Sequence, residues 1–329
     1  MRRIAAGLIV IMSVLLVSCK GKTGNTITVG SDKLDNTQSY FSESMHKAAR
    51  CDSGYYYLDK CGASADNLMF YDDKSEESIV LCNKPQCGHY GEECMAYISG
   101  SEFKSELYYY NSYIYMISSK GNLVRISADG TQRTDLGSIC VLSGQDSVSM
   151  CFNDGYAYVS QEITGDIEGN VTVRLHRFNL DTGLSDKIYE ETGYGIGINS
   201  LKTYGSDTFF LKTSVSKDDK GLYSLEGKGI FRIAGEDIEC LLDKNVYSYC
   251  IDADNNKLYY SGLGDGTIYE YDLGSGKSES IYKSDNDTGY FYITFDGNYI
   301  WMDDEGYKNM AMYFNKQSSS LDYTLYQLD

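Results

Sequence analysis

The stretch Val246 to Lys283 reads VYSYCIDADNNKLYYSGLGDGTIYEYDLGSGKSESIYK. Its apolar residues fall into four short runs, 246–251, 257–262, 267–272 and 279–283. Between them lie DADNN, GLGDG and LGSGK, rich in the Asn, Asp and Gly that tight turns require. Short β-prone runs joined by such turns predict four antiparallel strands in a meander.

The same unit recurs along the chain. A turn followed by an aromatic or aliphatic strand appears as SGYYYL from Ser53, NSYIYM from Asn111, DGYAYV from Asp154, SDTFFL from Ser206, NNKLYY from Asn255 and DGNYIWM from Asp296. A second hairpin follows each, as in NLVRISADGTQRTDL from Asn122 and GIFRIAGEDIECLL from Gly229. With Tyr56, Ile114, Ala157, Phe209, Leu258 and Tyr299 as equivalent points, the spacings are 58, 43, 52, 49 and 41 residues. That range suits four-stranded blades and not helical repeats. A lone blade cannot bury both of its faces, whereas six stacked around an axis bury them against one another. The sequence therefore predicts an all-β chain: a six-bladed β-propeller of four-stranded antiparallel blades over 45–329. The blades are expected at 45–82, 106–139, 147–190, 198–243, 246–283 and 289–328. The 32 Tyr and single Pro suit such a chain, with Tyr rings packing between blades and hydroxyls left wet.

Residues 1–18 read as a lipoprotein signal peptide. Arg2 and Arg3 supply the positive start, and Leu8 to Val17 is an apolar run too short to span a bilayer. The run ends Leu16-Val17-Ser18-Cys19, which resembles the bacterial lipobox, so Cys19 is expected to carry lipid. Residues 19–44 hold this cysteine and a flexible polar tether, in which Thr26 to Val29 offers one further strand. Ser42 to Arg50 reads either as a helical scrap or as the first strand of blade one. The expected location is the bacterial cell membrane, facing outside the cytoplasm and held by acyl chains.

With 29 basic and 47 acidic residues the net charge is −18. Nucleic acid and polybasic membrane binding are disfavoured, since both need Lys and Arg clusters. The acidic residues are spread along the blades, as on a soluble extracellular surface.

One segment departs from the blade pattern: LCNKPQCGHYGEECMAY, Leu81 to Tyr97, read as an inter-blade loop over 82–97. It gathers Cys82, Cys87, His89 and Cys94 around the only proline, Pro85. Three thiolates and an imidazole suffice for tetrahedral zinc. The H-x4-C half matches a zinc knuckle, but the first half lacks its C-x2-C. Cys61 is a fifth candidate, because strands two and four of a blade end at the same face. Cys51 is not expected to meet Cys61, their ladder positions being about 10 Å or more apart at ~3.3 Å per residue. An exported chain also oxidises cysteines, so structural disulfides, a structural metal and unpaired thiols all remain open for this loop. Cys151 and Cys250 are expected as buried thiols of inner strands; Cys140 and Cys240 fall near fourth-strand ends.

No catalytic residue is identified. The three histidines, His46, His89 and His176, are scattered, and no nucleophile elbow, H-E-x-x-H pair or phosphate-binding glycine loop occurs. Asp252 to Asn256 imitates the start of an EF-hand, but Lys257 and Leu263 stand where Gly and Glu are needed. It reads as a strand-connecting turn.

The repeats, carried by Tyr299-Ile300-Trp301-Met302-Asp303, Leu258-Tyr259-Tyr260 and Leu123 to Gly130, resemble the six-bladed TolB-like and YWTD-type propellers, without the YWTD tetrapeptide itself. The lipobox, the Tyr-rich blades and the LCNKPQCGH loop together are similar to propeller lipoproteins of anaerobic clostridia, a resemblance that brings no activity with it. The resulting expectation is a monomeric, membrane-anchored module, not an enzyme, that binds an extracytoplasmic protein or small ligand on one propeller face. The alternatives are a glycan or solute receptor and a metal-dependent propeller hydrolase or lyase.

Overall fold

The computed structural model describes residues 48–325 apart from 101, 105, 166–168, 236, 285–290, 296–298, 305–309 and 316–319. Cys19, His46 and the Thr26–Val29 segment lie outside the described residues. Those described form strands and turns with no helix, and among them no helix is long and apolar enough to cross a membrane.

The strands assemble into six sheets. The first holds β1 (Ala48–Cys51), β2 (Gly54–Lys60), β3 (Ala65–Asp72) and β4 (Glu77–Val80) in order, with β5 (Tyr97–Ser99) also on β3. The second is β6 (Tyr108–Tyr110), β7 (Tyr113–Ile117), β8 (Asn122–Ser127) and β9 (Arg133–Ser138). The third is β10 (Ser147–Asn153), β11 (Tyr156–Thr164), β12 (Asn170–Asn179) and β13 (Ser185–Tyr194). The fourth is β14 (Gly197–Tyr204), β15 (Asp207–Lys217), β16 (Tyr223–Ala234) and β17 (Asp237–Leu242). The fifth is β18 (Val246–Asp252), β19 (Lys257–Gly262), β20 (Thr267–Asp272) and β21 (Ser278–Lys283). The sixth is β22 (Phe291–Phe295), β23 (Tyr299–Asp304), β24 (Met310–Asn315) and β25 (Ser320–Leu325). The strands expected in 246–283 are therefore present, with no end shifted by more than one residue. Ala48–Cys51 settles the Ser42–Arg50 ambiguity for its last residues in favour of a strand.

First strands lie against first strands: β1 on β6, β6 on β10, β10 on β14, β14 on β18 and β18 on β22. Burial follows this order, because an inner strand has neighbours on both faces and an outer one does not. Six of the seven β18 residues are buried, whereas no residue of β21 is. The apolar core is divided into clusters between consecutive sheets. Phe209, Leu211 and Ile230 of the fourth meet Tyr249, Leu258 and Tyr260 of the fifth. Tyr115 and Phe152 join the second and third, their ring centroids 4.6 Å apart.

Two local devices repeat. The third strand often ends in a residue whose side chain caps the following turn. Asp72 accepts from the amides of Lys74 and Ser75, Asn179 from Asp181 and Thr182, and Asp272 from Ser275. Many acidic residues are thus turn formers. The Asp252 turn works in the same way, accepting from the amide of Asn255. The second device is a diagonal cation contact across strands two and three. Arg125 lies over the Tyr113 ring and Arg177 over Tyr156. Arg232 pairs with Asp207 in the fourth sheet, and in the fifth the signs reverse, with Lys257 paired to Glu270.

The meander order sorts the connections by face. Turns after first and third strands form one face and are tight, as at 52–53, 111–112, 154–155 and 205–206. The opposite face carries the β5–β6 and β9–β10 connections, the junction of β11 with β12 and the hairpin around 218–222.

Candidate metal centre

The cysteine segment is not an inter-blade loop. Val80 pairs with Met69, and Tyr97 pairs with Asn67. β4 and β5 are two halves of one fourth strand, and residues 81–96 are inserted at its mid-height. Both ends of the insertion are held by Leu68: the Leu81 amide donates to its carbonyl at 2.9 Å, and its own amide donates to the carbonyl of Ala96 at 2.8 Å. The blade closes only at Ser99, where the Gly100 amide reaches Ser64 O at 2.7 Å.

From this root the loop turns back on itself. Gln86 and His89 adopt φ of 59° and 58°, left-handed conformations uncommon for residues other than Gly, Asn and Asp. They sit on either side of Cys87 and reverse the chain so that its donor atoms converge. The Cys87 amide donates to Lys84 O at 3.3 Å, the Cys94 amide to Gly91 O at 3.1 Å, and the Lys84 ammonium to the Glu93 carbonyl. The Asn83 amide reaches Gly130 O in the second sheet at 3.4 Å. Beneath the loop, Cys94 and Ala96 pack with Leu81, Ile98 and Leu107.

The outcome is a compact donor set. The sulfurs of Cys82, Cys87 and Cys94 and a ring nitrogen of His89 all lie within 4.8 Å of one another. His89 Nδ1 stands 3.6 Å from Cys94 Sγ. Tetrahedral zinc–thiolate bonds of about 2.3 Å place sulfurs about 3.8 Å apart, so the set needs only small adjustments to enclose such an ion. The three thiols are free. Burial opposes ionisation of Cys82, but amide donation from Lys84 and Met95 and the thiols of Cys94 and Cys87 outweigh it and bring the group down to about 7. Cys94 goes the other way: burial above all, then the neighbouring thiols, push it up to about 11. A cation bound among them would favour the thiolate form of all three.

Cys61 stands outside the set. It follows β2 at the base of the sheet, where its amide donates to Ala65 O at 3.1 Å. Cys82 leaves the sheet three residues higher along β3, opposite Leu68. The expected approach of Cys61 assumed that strand four ended at Cys82, whereas it resumes at Tyr97–Ser99. Cys151 and Cys250 lie buried in the inner strands β10 and β18 as anticipated, and Cys140 is buried near the end of β9. His176 is buried in β12, its Nε2 3.2 Å from Gln161 Oε1. Tyr194 and Tyr223 form an exposed pair, centroids 5.8 Å apart and planes 17° from parallel.

No protein-family model and no curated protein matches the chain. Solved structures do. An oligogalacturonate lyase from Vibrio parahaemolyticus aligns with a TM-score of 0.56 at 9% identity, covering 91% of this chain and 83% of the lyase. An oligogalacturonate lyase in complex with manganese gives 0.55 at 10% identity, covering 91% and 82%. A nidogen–laminin complex gives 0.35 at 10%, covering 83% and 75%. The fold is that of a β-propeller. The expectation of a protein without enzymatic activity is hereby corrected, since proteins of this fold include lyases. Propeller sites draw residues from separate blades, so the lack of a local motif was no ground for excluding catalysis.

Proposed function

We propose that this chain is a six-bladed propeller lipoprotein, residues 45–329 forming the ring and residues 20–44 tethering it to lipidated Cys19 on the outer face of a bacterial membrane. It engages an extracytoplasmic protein or small ligand through one face of the ring, and Cys82, Cys87, His89 and Cys94 hold a structural zinc. The observation that carries the metal reading is the convergence of three thiols and an imidazole within 4.8 Å. Four protein donors fill a tetrahedral shell and leave no open position for substrate, which is the pattern of a structural site. The lipoprotein reading draws on the lipobox-like LVSC and the resemblance to clostridial propeller lipoproteins. The ligand face is assigned to the longer connections and hairpins, because binding residues concentrate on loops held by a rigid scaffold.

The lyase neighbours favour a second reading, in which the same face binds and cleaves an acidic oligosaccharide with a divalent cation. Incubating the full chain with oligogalacturonate, with and without manganese, and following the unsaturated product by ultraviolet absorbance distinguishes turnover from binding alone. The anchor and the metal have their own tests. Labelled fatty acid should enter the wild-type chain in cells and be lost in Cys19→Ala. Native mass spectrometry should find one zinc per chain, absent after His89→Ala or Cys87→Ser. A metal-free wild-type chain carrying loop disulfides sinks the zinc assignment.

A further inference from the structure

We infer that the inserted loop is a thiol switch, in which Cys82 and Cys87 close into a disulfide and release the metal when a small-molecule disulfide reaches them. This rests on the zinc reading above. The geometry separates the four donors into two classes. Cys82, Cys87 and His89 are partly exposed on the outer side of the blade, whereas Cys94 is only 2% exposed and packs against Leu81, Ile98 and Leu107. A dissolved disulfide therefore meets Cys82 and Cys87 first. Their sulfurs are already within 4.8 Å of each other, and the Cys87 amide on Lys84 O closes the short turn that joins them. Bonding requires this separation to shrink to the roughly 2.05 Å of a disulfide.

The chemistry balances within the pair and its oxidant. The Cys82 sulfur attacks one sulfur of the incoming disulfide, forms a mixed disulfide and expels the first thiolate. The Cys87 sulfur then attacks the Cys82 sulfur, closes the Cys82–Cys87 bond and expels the second. Two electrons leave the protein pair and reduce the external disulfide to two thiols. Cys94 and His89 alone are too few to retain the ion. With the metal gone, the loop keeps its internal bonds and its root on Leu68, and its amide contact with the second sheet is the weak 3.4 Å bond from Asn83 to Gly130 O. Thiol reductant and free zinc reverse the sequence.

The test uses the full chain, reduced and loaded with zinc, then treated with oxidised glutathione. Zinc release is followed with a metallochromic dye, bridges by peptide mapping, and loop opening by amide exchange at Asn83. The expected result is one equivalent of zinc released per Cys82–Cys87 bridge formed, faster exchange at Asn83, and full reversal by dithiothreitol with zinc. Zinc that stays bound, or leaves with a bridge to Cys94 or Cys61 instead, overturns the switch while leaving the structural site intact. A reduced chain that never takes up zinc overturns both.

Discussion

His176 lies inside the third sheet, with Gln161 as its partner and Arg174, Lys187 and Glu190 around it. Burial first, then the positive charges of Arg174 and Lys187, bring its pKa from 6.5 down to about 4. The folded ring is neutral where the unfolded chain already takes up a proton. Its contribution to stability is full above about pH 6.5 and is lost as pH falls toward 4. At one pKa unit per 1.36 kcal/mol, the loss is on the order of 3 kcal/mol. Denaturant unfolding at pH 7 and pH 4 should show His176→Gln losing less stability than wild type by about that amount; equal losses would mean the ring is not held neutral. Gly121 makes a steric demand instead of an electrostatic one. Its φ is 86°, and a Cβ there would stand 2.0 Å from Cys140 O. Gly121→Ala should cost more than about 2 kcal/mol, read as a lowered denaturation midpoint. Neither demand is visible locally in the sequence, since both depend on a partner in another strand or connection.

At the level of elements, turn chemistry carried most of the legible information. Asp, Asn and Gly clusters locate strand ends because the capping bonds of Asp72, Asn179 and Asp272 are local. The loop's position was not legible. YIS of β5 is too short to announce itself as a strand, and its alignment with β4 depends on Leu68, which no spacing rule connects to it. The diagonal Arg–Tyr contacts were missed for the same reason, although arginine two residues before the turn-forming Ser127 and Asn179 is a recurrent signal. The split strand makes a direct prediction. Removing residues 82–96 and joining Leu81 to Tyr97 should leave a continuous fourth strand and a folded chain by circular dichroism. It should also lower the melting temperature, since Cys94 and Ala96 leave the core. Loss of cooperative unfolding would mean the insertion nucleates its blade.

Taken whole, the molecule carries −18 at pH 7 with its acidic groups spread over the turns of many blades. Such a surface repels itself, and that repulsion fades as the Debye length shrinks from about 30 Å at 0.01 M salt to about 8 Å at 0.15 M. Thermal melts should therefore shift upward over that range by a few degrees, and a heparin column should not retain the chain. A downward shift would point to surface ion pairs as the larger contributor.

Each of the six sheets is built from consecutive strands. Among the described residues, no strand from one end of the chain pairs with the sheet at the other, and consecutive sheets meet through packed side chains. Tension applied at Ala48 is taken up by β1, which is hydrogen-bonded to β2 of its own sheet and touches the next sheet through β6. Under load neighbouring sheets should part from one another while each keeps its own hydrogen bonds. A pulled molecule would lengthen first by separating its sheets, and only at higher force by unravelling strands.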